Sequence, residues 1–212
     1  MVPSSIVQET PRSIRLSETT GRPAFTSTER PRAPSNLSVP LLALVLGSAS
    51  AAAQGTTASA NPADVASPAA LVKAAYETVS RAPGKPFQWD RFRSLFLPGA
   101  RLIPNTEQTR GTFTTHTVET FITWIDEGWR PVIGTPNDRG FAETEVAAKL
   151  ETYGDIAHVL STYEKFAWGD KQVRGRGINS FQMIRKDGRW WITSLIWDEE
   201  TGAGPVPAKY LP

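Results

Sequence analysis

Two tight turns, Gly154-Asp155 and Asp187-Gly188, do most to constrain how this chain folds, because each lies between two long stretches of strand-like sequence. A two-residue turn of this kind joins antiparallel strands and fixes which of their residues face one another. The turns therefore predict two long β-hairpins in the second half of the chain. The four predicted strands span residues 141–153, 156–166, 173–186 and 189–199.

The stretch before these hairpins carries the signals of three helices. Ser67-Pro68 provides an N-cap and a first helical residue, and the apolar side chains behind it recur at helical spacing as far as Pro83-Gly84. A second, short helix is predicted over 89–96, a short strand over 100–103, and a third helix after the N-cap Thr117. Helices followed by hairpins predict an α+β domain, with three N-terminal helices packed on one face of a curved antiparallel sheet.

The first turn also predicts which residues of its hairpin face the core. It pairs Val146 with Tyr163 on the apolar face, and Glu151 with His158 on the opposite face. His158 is one of two histidines in the chain and would be a natural catalytic candidate. Its place beside Glu151 instead indicates a cross-strand pair on the outer surface.

The same pairing identifies polar side chains in the hollow between the helices and the sheet. Tyr163, Asn179, Ser194 and Ser161 are predicted to supply the few hydrogen bonds that orient a small apolar ligand, and Arg101 to place a charge at the mouth of the pocket. No Asp, Glu or His occupies a core-facing position in this register, so the hollow is expected to lack a general base. The acids that remain as catalytic candidates are Asp90, Asp126 and Asp198, the last of them expected on the inward face near the rim.

The second predicted hairpin is apolar on both of its faces. In this register its outer face carries Ile178, Trp191, Leu195 and Trp197. A sheet with one face in water normally alternates apolar and polar residues, and an apolar patch of this size is seldom left exposed. We therefore expect a homodimer that forms through the outer sheet face.

Residues 37–53 are typical of a secretory signal peptide, because a short apolar run follows arginines and ends in small residues, with cleavage near Ala53. They follow a polar leader, 1–36, that is predicted to be disordered, and precede a linker, 54–66, so that the folded domain is predicted for 67–212. The run is too short for a stable membrane anchor, and a periplasmic or extracellular location is expected. The alternative is a disordered, Ala-rich tail that is never cleaved. For a signal peptide, the long polar stretch before its arginines means either that the start codon is placed too early or that the leader is unusually long.

The net positive charge of the chain lies in its first quarter. Residues 1–53 hold five arginines and three glutamates, whereas residues 54–212 hold 18 basic and 18 acidic side chains. Nucleic-acid binding is therefore not expected, since the folded part has no excess of positive charge. With no cysteine, two separated histidines and no cofactor motif, neither a metal nor a cofactor is expected. The run Arg174-Gly175-Arg176-Gly177 predicts a β-bulge rather than a dinucleotide site.

Two segments carry a resemblance to a known superfamily: Leu95-Phe96-Leu97-Pro98-Gly99-Ala100-Arg101-Leu102, at a helix-to-strand break, and Gly188-Arg189-Trp190-Trp191-Ile192, in the closing hairpin. With three helices before the long strands, the chain resembles the nuclear transport factor 2-like superfamily, in particular its SnoaL-like and ketosteroid-isomerase-like members. Residues 156–159 and 176–180 are similar to those of a secreted branch without an assigned function. The resemblance implies a cone-shaped α+β barrel with an apolar pocket, in which the enzymes of the superfamily hold paired carboxylates or Asp with His.

Three functions remain open at this point. The first is a secreted, non-catalytic domain that binds a small apolar ligand. The second is a lyase, isomerase or hydrolase that uses a pocket acid, and the third is a structural dimerisation module whose pocket is filled by side chains. A carboxylate within hydrogen-bond reach of Tyr163 or Asn179 would favour the enzyme.

Overall fold

A computed structural model describes residues 59–106, 109, 111–112 and 114–212. The predicted leader, the signal-peptide-like segment 37–53 and the cleavage position near Ala53 lie outside the described residues, so export stays a prediction. Within the described part of the chain, no helix is both long enough and apolar enough to cross a membrane.

The helices begin where the sequence predicts. Ser67 caps the first of them, its hydroxyl accepting a hydrogen bond from the Ala70 amide at 3.1 Å, and Thr117 forms a reciprocal capping box with Thr120 at the start of the third. The helices are α1 (Pro68–Val79), α2 (Trp89–Leu95), α3 (Val118–Trp129) and α4 (Glu200–Ala203), with short 3-10 helices at Pro62–Val65 and Ala208–Tyr210. Part of the predicted linker is thus folded, and its Val65 lies in the core.

Five strands form one mixed sheet in the order β1-β5-β4-β3-β2. The strands are β1 (Phe96–Pro104), β2 (Ala142–Tyr153), β3 (Ile156–Phe166), β4 (Gly175–Lys186) and β5 (Arg189–Glu199). β1 follows α2 directly and runs parallel to β5, so the predicted all-antiparallel sheet is correct only for the other four strands. α1 packs against β2 and β5, and α3 against β1. The α+β class, with three helices packed on the sheet, is confirmed.

The first hairpin has the predicted register up to its bulge. Glu151 lies opposite His158, whose Nε2 is 3.1 Å from the Ser180 hydroxyl on the outer face, as predicted. Beyond Ala147, however, Val146 is an extra residue on β2, and Glu145 rather than Val146 pairs with Tyr163. A bulge of this kind moves the following side chains to the opposite face. The side chains of residues 142–145 therefore point to the opposite face of the sheet from the one predicted.

A second bulge changes the faces of β5. Met183 pairs with Ile192 as predicted, but Thr193 is an extra residue, and Gln182 then pairs with Ser194. As a result, the β5 side chains beyond Thr193 exchange faces. Leu195, Trp197 and Glu199 face inward, and Ser194, Ile196 and Asp198 face outward. The exposed fractions agree, with 8% for Leu195 and 42% for Ile196.

This exchange corrects the predicted dimer surface, because Leu195 and Trp197 do not lie on the outer face. Part of that face is instead covered by the C-terminal segment of the same chain. The Thr162 hydroxyl donates to the Tyr210 carbonyl at 2.7 Å, and the Lys149 ammonium lies 5.0 Å from the centroid of the Tyr210 ring. The apolar area left for a partner is therefore smaller than the sequence suggests.

Candidate active site

A cavity of about 220 Å³ lies between the helices and the inner face of the sheet. Most of its lining is aromatic, which gives a ligand large, rigid and apolar contact surfaces. The aromatic side chains are Tyr76, Phe87, Trp89, Phe92, Phe121, Trp124, Trp129, Phe141, Tyr163, Phe181 and Trp197. Thr106 also lines this aromatic pocket, and four further polar residues line the end where β2, β3, β4 and β5 meet: Glu143, Lys165, Asn179 and Glu199.

Glu143 is in the aromatic pocket because of the bulge at Val146. Its Oε1 atom accepts a hydrogen bond of 3.4 Å from the Asn179 amide. Burial raises the pKa of Glu143 to about 7, against the lowering effects of the Lys165 charge and of the Asn179 hydrogen bond. A carboxyl group with this pKa populates its protonated and ionised forms about equally at neutral pH, which is the requirement for a general acid–base group.

A chain of hydrogen bonds runs from Asn179 to the edge of the sheet. The Asn179 amide donates to the Tyr76 hydroxyl at 3.0 Å, and the Tyr76 and Ser161 hydroxyls are 2.7 Å apart. The Ser161 hydroxyl donates to Glu145 Oε2 at 2.5 Å, so the Tyr76 hydroxyl must donate to Ser161. Burial, and then the negative charge of Glu143, raise the pKa of Tyr76, so that Tyr76 stays neutral.

On the other side of the aromatic pocket, Tyr163 and Lys165 reach from β3 to Glu199 on β5. The Tyr163 hydroxyl donates to Glu199 Oε1 at 3.3 Å, and the Lys165 ammonium donates to the same atom at 2.6 Å. β4 lies between these two strands, and it carries Gly177 opposite Tyr163 and Gly175 opposite Lys165. The glycines leave the space that the two side chains cross, and the register between β3 and β4 is regular. The predicted bulge at these glycines is therefore wrong.

Replacing Gly177 with alanine should destabilise the protein by about 1–3 kcal/mol, because the new methyl group would lie 2.6 Å from the Tyr163 hydroxyl oxygen and would also clash with the Asp198 carbonyl. Urea unfolding measures the change. Gly128→Ala is the matched control, since Gly128 lies in α3 with open space around it and should gain about 0.5–1 kcal/mol. Equal stabilities of the two variants would contradict this role of Gly177.

A buried ion pair fixes the loop that precedes Glu143. Arg81 donates to Asp138 through two nitrogens, at 2.7 and 3.0 Å, and the guanidinium lies 4.8 Å from the centroid of the Trp129 ring. Three backbone amides, of residues 84, 134 and 140, also donate to Asp138. The Arg81 bonds, followed by these amides, hold the pKa of Asp138 far below its usual range. The ion pair thereby places the loop wall of the aromatic pocket.

The structure brings together three of the five ligand-binding residues predicted from the sequence. Tyr163 and Asn179 line the aromatic pocket, and Ser161 lies behind it in the hydrogen-bond chain. Ser194 faces outward beyond the bulge at Thr193. Arg101 pairs with Ser194, is exposed, and donates to the backbone carbonyl of Gly99 at 2.8 Å. Ser194 therefore does not face the hollow and Arg101 is not at the mouth of the pocket, which corrects both predictions.

The three acids that the sequence left as catalytic candidates are elsewhere. Asp90 is exposed and pairs with Arg93 at 2.9 Å, and Asp126 accepts from the Trp89 indole at 2.8 Å. Asp198 faces outward and accepts from the Asn105 amide at 2.8 Å, so its predicted inward position is wrong. In the described part of the chain, no three His, Asp or Glu side chains are grouped so that they could hold a metal ion.

The sequence interpretation missed the acids that do line the pocket, Glu143 and Glu199, because it assumed unbroken alternation. One signal of the phase changes was present. Three consecutive apolar residues, 146–148 in β2 and 195–197 in β5, interrupt the alternation beside each bulge. A run of this kind shows that the side chains on its two sides need not share a phase. The sequence is therefore compatible with Glu143 and Glu199 facing inward.

No family model and no curated protein matches this chain. Solved structures do match it. One is an NTF2-like protein of unknown function from Shewanella baltica, at 15% identity, covering 61% of this chain and 87% of that chain with a TM-score of 0.43. A second is an NTF2-like protein of unknown function from Silicibacter pomeroyi, at 17% identity, covering 62% of this chain and 91% of that chain with a TM-score of 0.41. A third is an NTF2-like protein with a cystatin-like fold from Novosphingobium aromaticivorans, at 16% identity, with 56% and 71% covered and a TM-score of 0.42. These similarities concern the fold alone.

Proposed function

We propose that this chain is an enzyme of the isomerase or lyase type that moves a proton within a small, largely aromatic molecule, with Glu143 as its acid–base group. One observation carries the proposal: a carboxyl group with a pKa of about 7 borders an aromatic pocket and is within 3.4 Å of the Asn179 amide. A carboxylate within reach of Asn179 is the feature that separates the enzyme from a non-catalytic binding protein. The expectation that the hollow contains no acid is wrong.

The groups around Glu143 suit proton abstraction next to a carbonyl group. In its ionised form Glu143 takes the proton, the electron pair of the broken C–H bond moves onto the carbonyl oxygen, and the protonated Glu143 returns the proton to another atom of the same molecule. The Lys165 ammonium has three N–H donors, one of which bonds Glu199. The other donors are available to stabilise the negative charge that develops on the carbonyl oxygen.

Asn179 and Tyr76 act through Glu143 in this scheme. One N–H of the Asn179 amide donates to Glu143 Oε1 and the other to the Tyr76 hydroxyl, so Asn179 fixes the position of the carboxyl group. Both residues are therefore positioning residues. The surrounding aromatic side chains partly bury Glu143, and this burial raises the pKa of its carboxyl group.

The pKa of Glu143 tests the proposal without a known substrate. Carbon-13 labelling of glutamate carboxyls allows each group to be titrated by NMR, and Glu143→Gln identifies the Glu143 signal by its loss. We expect a midpoint near pH 7, because the pocket shields the carboxylate from water. A midpoint below pH 5 would contradict the proposed role, since the group would then be ionised throughout the neutral range.

Non-catalytic binding of an aromatic ligand remains the second candidate, and the aromatic lining of the pocket favours it. A structural module is disfavoured because its pocket should be filled by side chains, whereas this cavity is open space of about 220 Å³. We also retain two proposals from the sequence: export from the cytoplasm, and a homodimer through the outer sheet face. Of the apolar residues predicted for that interface, Ile178 and Trp191 do lie on the outer face.

A further inference from the structure

A second cavity, of about 380 Å³, lies beside the aromatic pocket, and all the charged side chains that line it are basic. Lys165, Trp129 and Phe141 line both cavities, so the two cavities are adjacent. Arg139 and Arg174 line only the second one, and no acidic residue lines it among the described residues. We call this second cavity the basic pocket.

The positive charges of the basic pocket are only partly neutralised. Lys165 bonds Glu199 at 2.6 Å, and Arg174 lies 3.5 Å from Asp170. The Arg139 side chain has no hydrogen bond or ion pair among the described residues, and it is exposed.

The acid next to Arg139 in the chain does not neutralise it. Asp138 is buried, and its two oxygens accept hydrogen bonds from Arg81 and from three backbone amides. Its negative charge is therefore matched by Arg81. The basic pocket keeps an excess of positive charge and donors that suit an anionic group.

We propose that the substrate is an aromatic organic anion, whose ring system occupies the aromatic pocket and whose carboxylate or phosphate group lies in the basic pocket. The inference rests on the proposed function and names the substrate class of the same site. Arginine guanidinium groups present paired N–H donors that match the oxygens of a carboxylate or phosphate. Because Lys165 lines both cavities, an anion bound in the basic pocket lies next to the ring-binding cavity. An aromatic cavity of about 220 Å³ is smaller than pockets for drug-sized ligands, which points to one or two fused rings.

Binding of naphthylacetate and of its neutral amide, naphthylacetamide, tests the inference, because the two probes have nearly the same shape and only the first carries a negative charge. Several tryptophans line the cavities, so quenching of intrinsic fluorescence reports binding. We expect the acid to bind about fivefold to thirtyfold more tightly than the amide at low salt, as two or three exposed ion pairs would give. The preference should shrink as salt is added. Naphthyl phosphate, measured in parallel, shows whether a carboxylate or a phosphate is the better anion.

The double variant Arg139→Gln/Arg174→Gln should bring the preference for the acid to within about twofold. Arg130→Gln is the matched control, since Arg130 is exposed nearby and lines neither cavity. Its preference should equal that of the wild type. Equal binding of acid and amide by the wild type, an unchanged preference in the double variant, or no binding of any probe would each overturn the inference. The NMR titration of Glu143 is independent of these probes, so failure of the inference is distinguishable from failure of the proposed function.

Discussion

Replacing Glu143 with glutamine should lower the rate of proton transfer by about 10²- to 10⁴-fold, which is the usual contribution of a positioned acid–base group. Glutamine keeps the size of the side chain and an oxygen that accepts from Asn179, but it does not take up a proton in the neutral range. The measurement is the loss of α-proton NMR signals from β-tetralone, a fused-ring ketone, in D₂O. For the wild type, the rate should rise as pH increases through about 7, because the ionised form of Glu143 abstracts the proton.

Glu151→Gln is the matched control for this variant. Glu151 lies on the same strand, is exposed, and faces outward opposite His158. Its loss removes the same charge without touching the pocket, so the exchange rate should stay within about twofold of the wild type. Exchange by the wild type no faster than in buffer, or an equal rate for Glu143→Gln, would show that Glu143 is not the acid–base group.

The fold of this chain follows from local signals, which is why most of its elements are predictable. Ser67 and Thr117 cap helices through their own side chains, and Asp187-Gly188 closes a hairpin through its own backbone, with both residues at positive φ. These effects involve neighbours in sequence. The parallel pairing of β1 with β5 joins residues about 90 positions apart, and no local signal specifies it.

The candidate site could not be predicted in the same way, because it depends on two single-residue bulges. Extra residues at Val146 and Thr193 turn Glu143 and Glu199 inward. A turn fixes register only as far as the first bulge. Ser161 and Asn179 lie on β3 and β4, which carry no extra residue in these two hairpins, and both face inward as predicted. Ser194 lies beyond the extra residue of β5 and faces the other way.

Breaking the Arg81–Asp138 pair should lower the unfolding temperature by roughly 10 °C, the largest stability effect expected for one side chain here. In Arg81→Gln, the buried carboxylate of Asp138 keeps its three backbone donors but loses the guanidinium that balances its charge. The guanidinium also packs against Trp129 in the pocket wall. The variant should therefore bind naphthylacetamide more weakly as well as unfold at a lower temperature. Thermal unfolding followed by tryptophan fluorescence measures the unfolding temperature.

Arg93→Gln is the control, because it breaks only exposed pairs, those of Arg93 with Asp90 and with Glu119; the Arg93 and Glu119 side chains are 34% and 65% exposed. Exposed pairs contribute little, so the unfolding temperature should fall by only about 1–3 °C. The double variant Arg81→Met/Asp138→Leu separates charge from packing, since replacing both members of a buried pair by apolar groups often restores stability. We expect it to recover only part of the loss, because the amides of Gly84, Gly134 and Gly140 lose their acceptor when Asp138 is replaced. An unfolding temperature of Arg81→Gln equal to that of Arg93→Gln would mean that the buried pair does not hold the pocket wall in place.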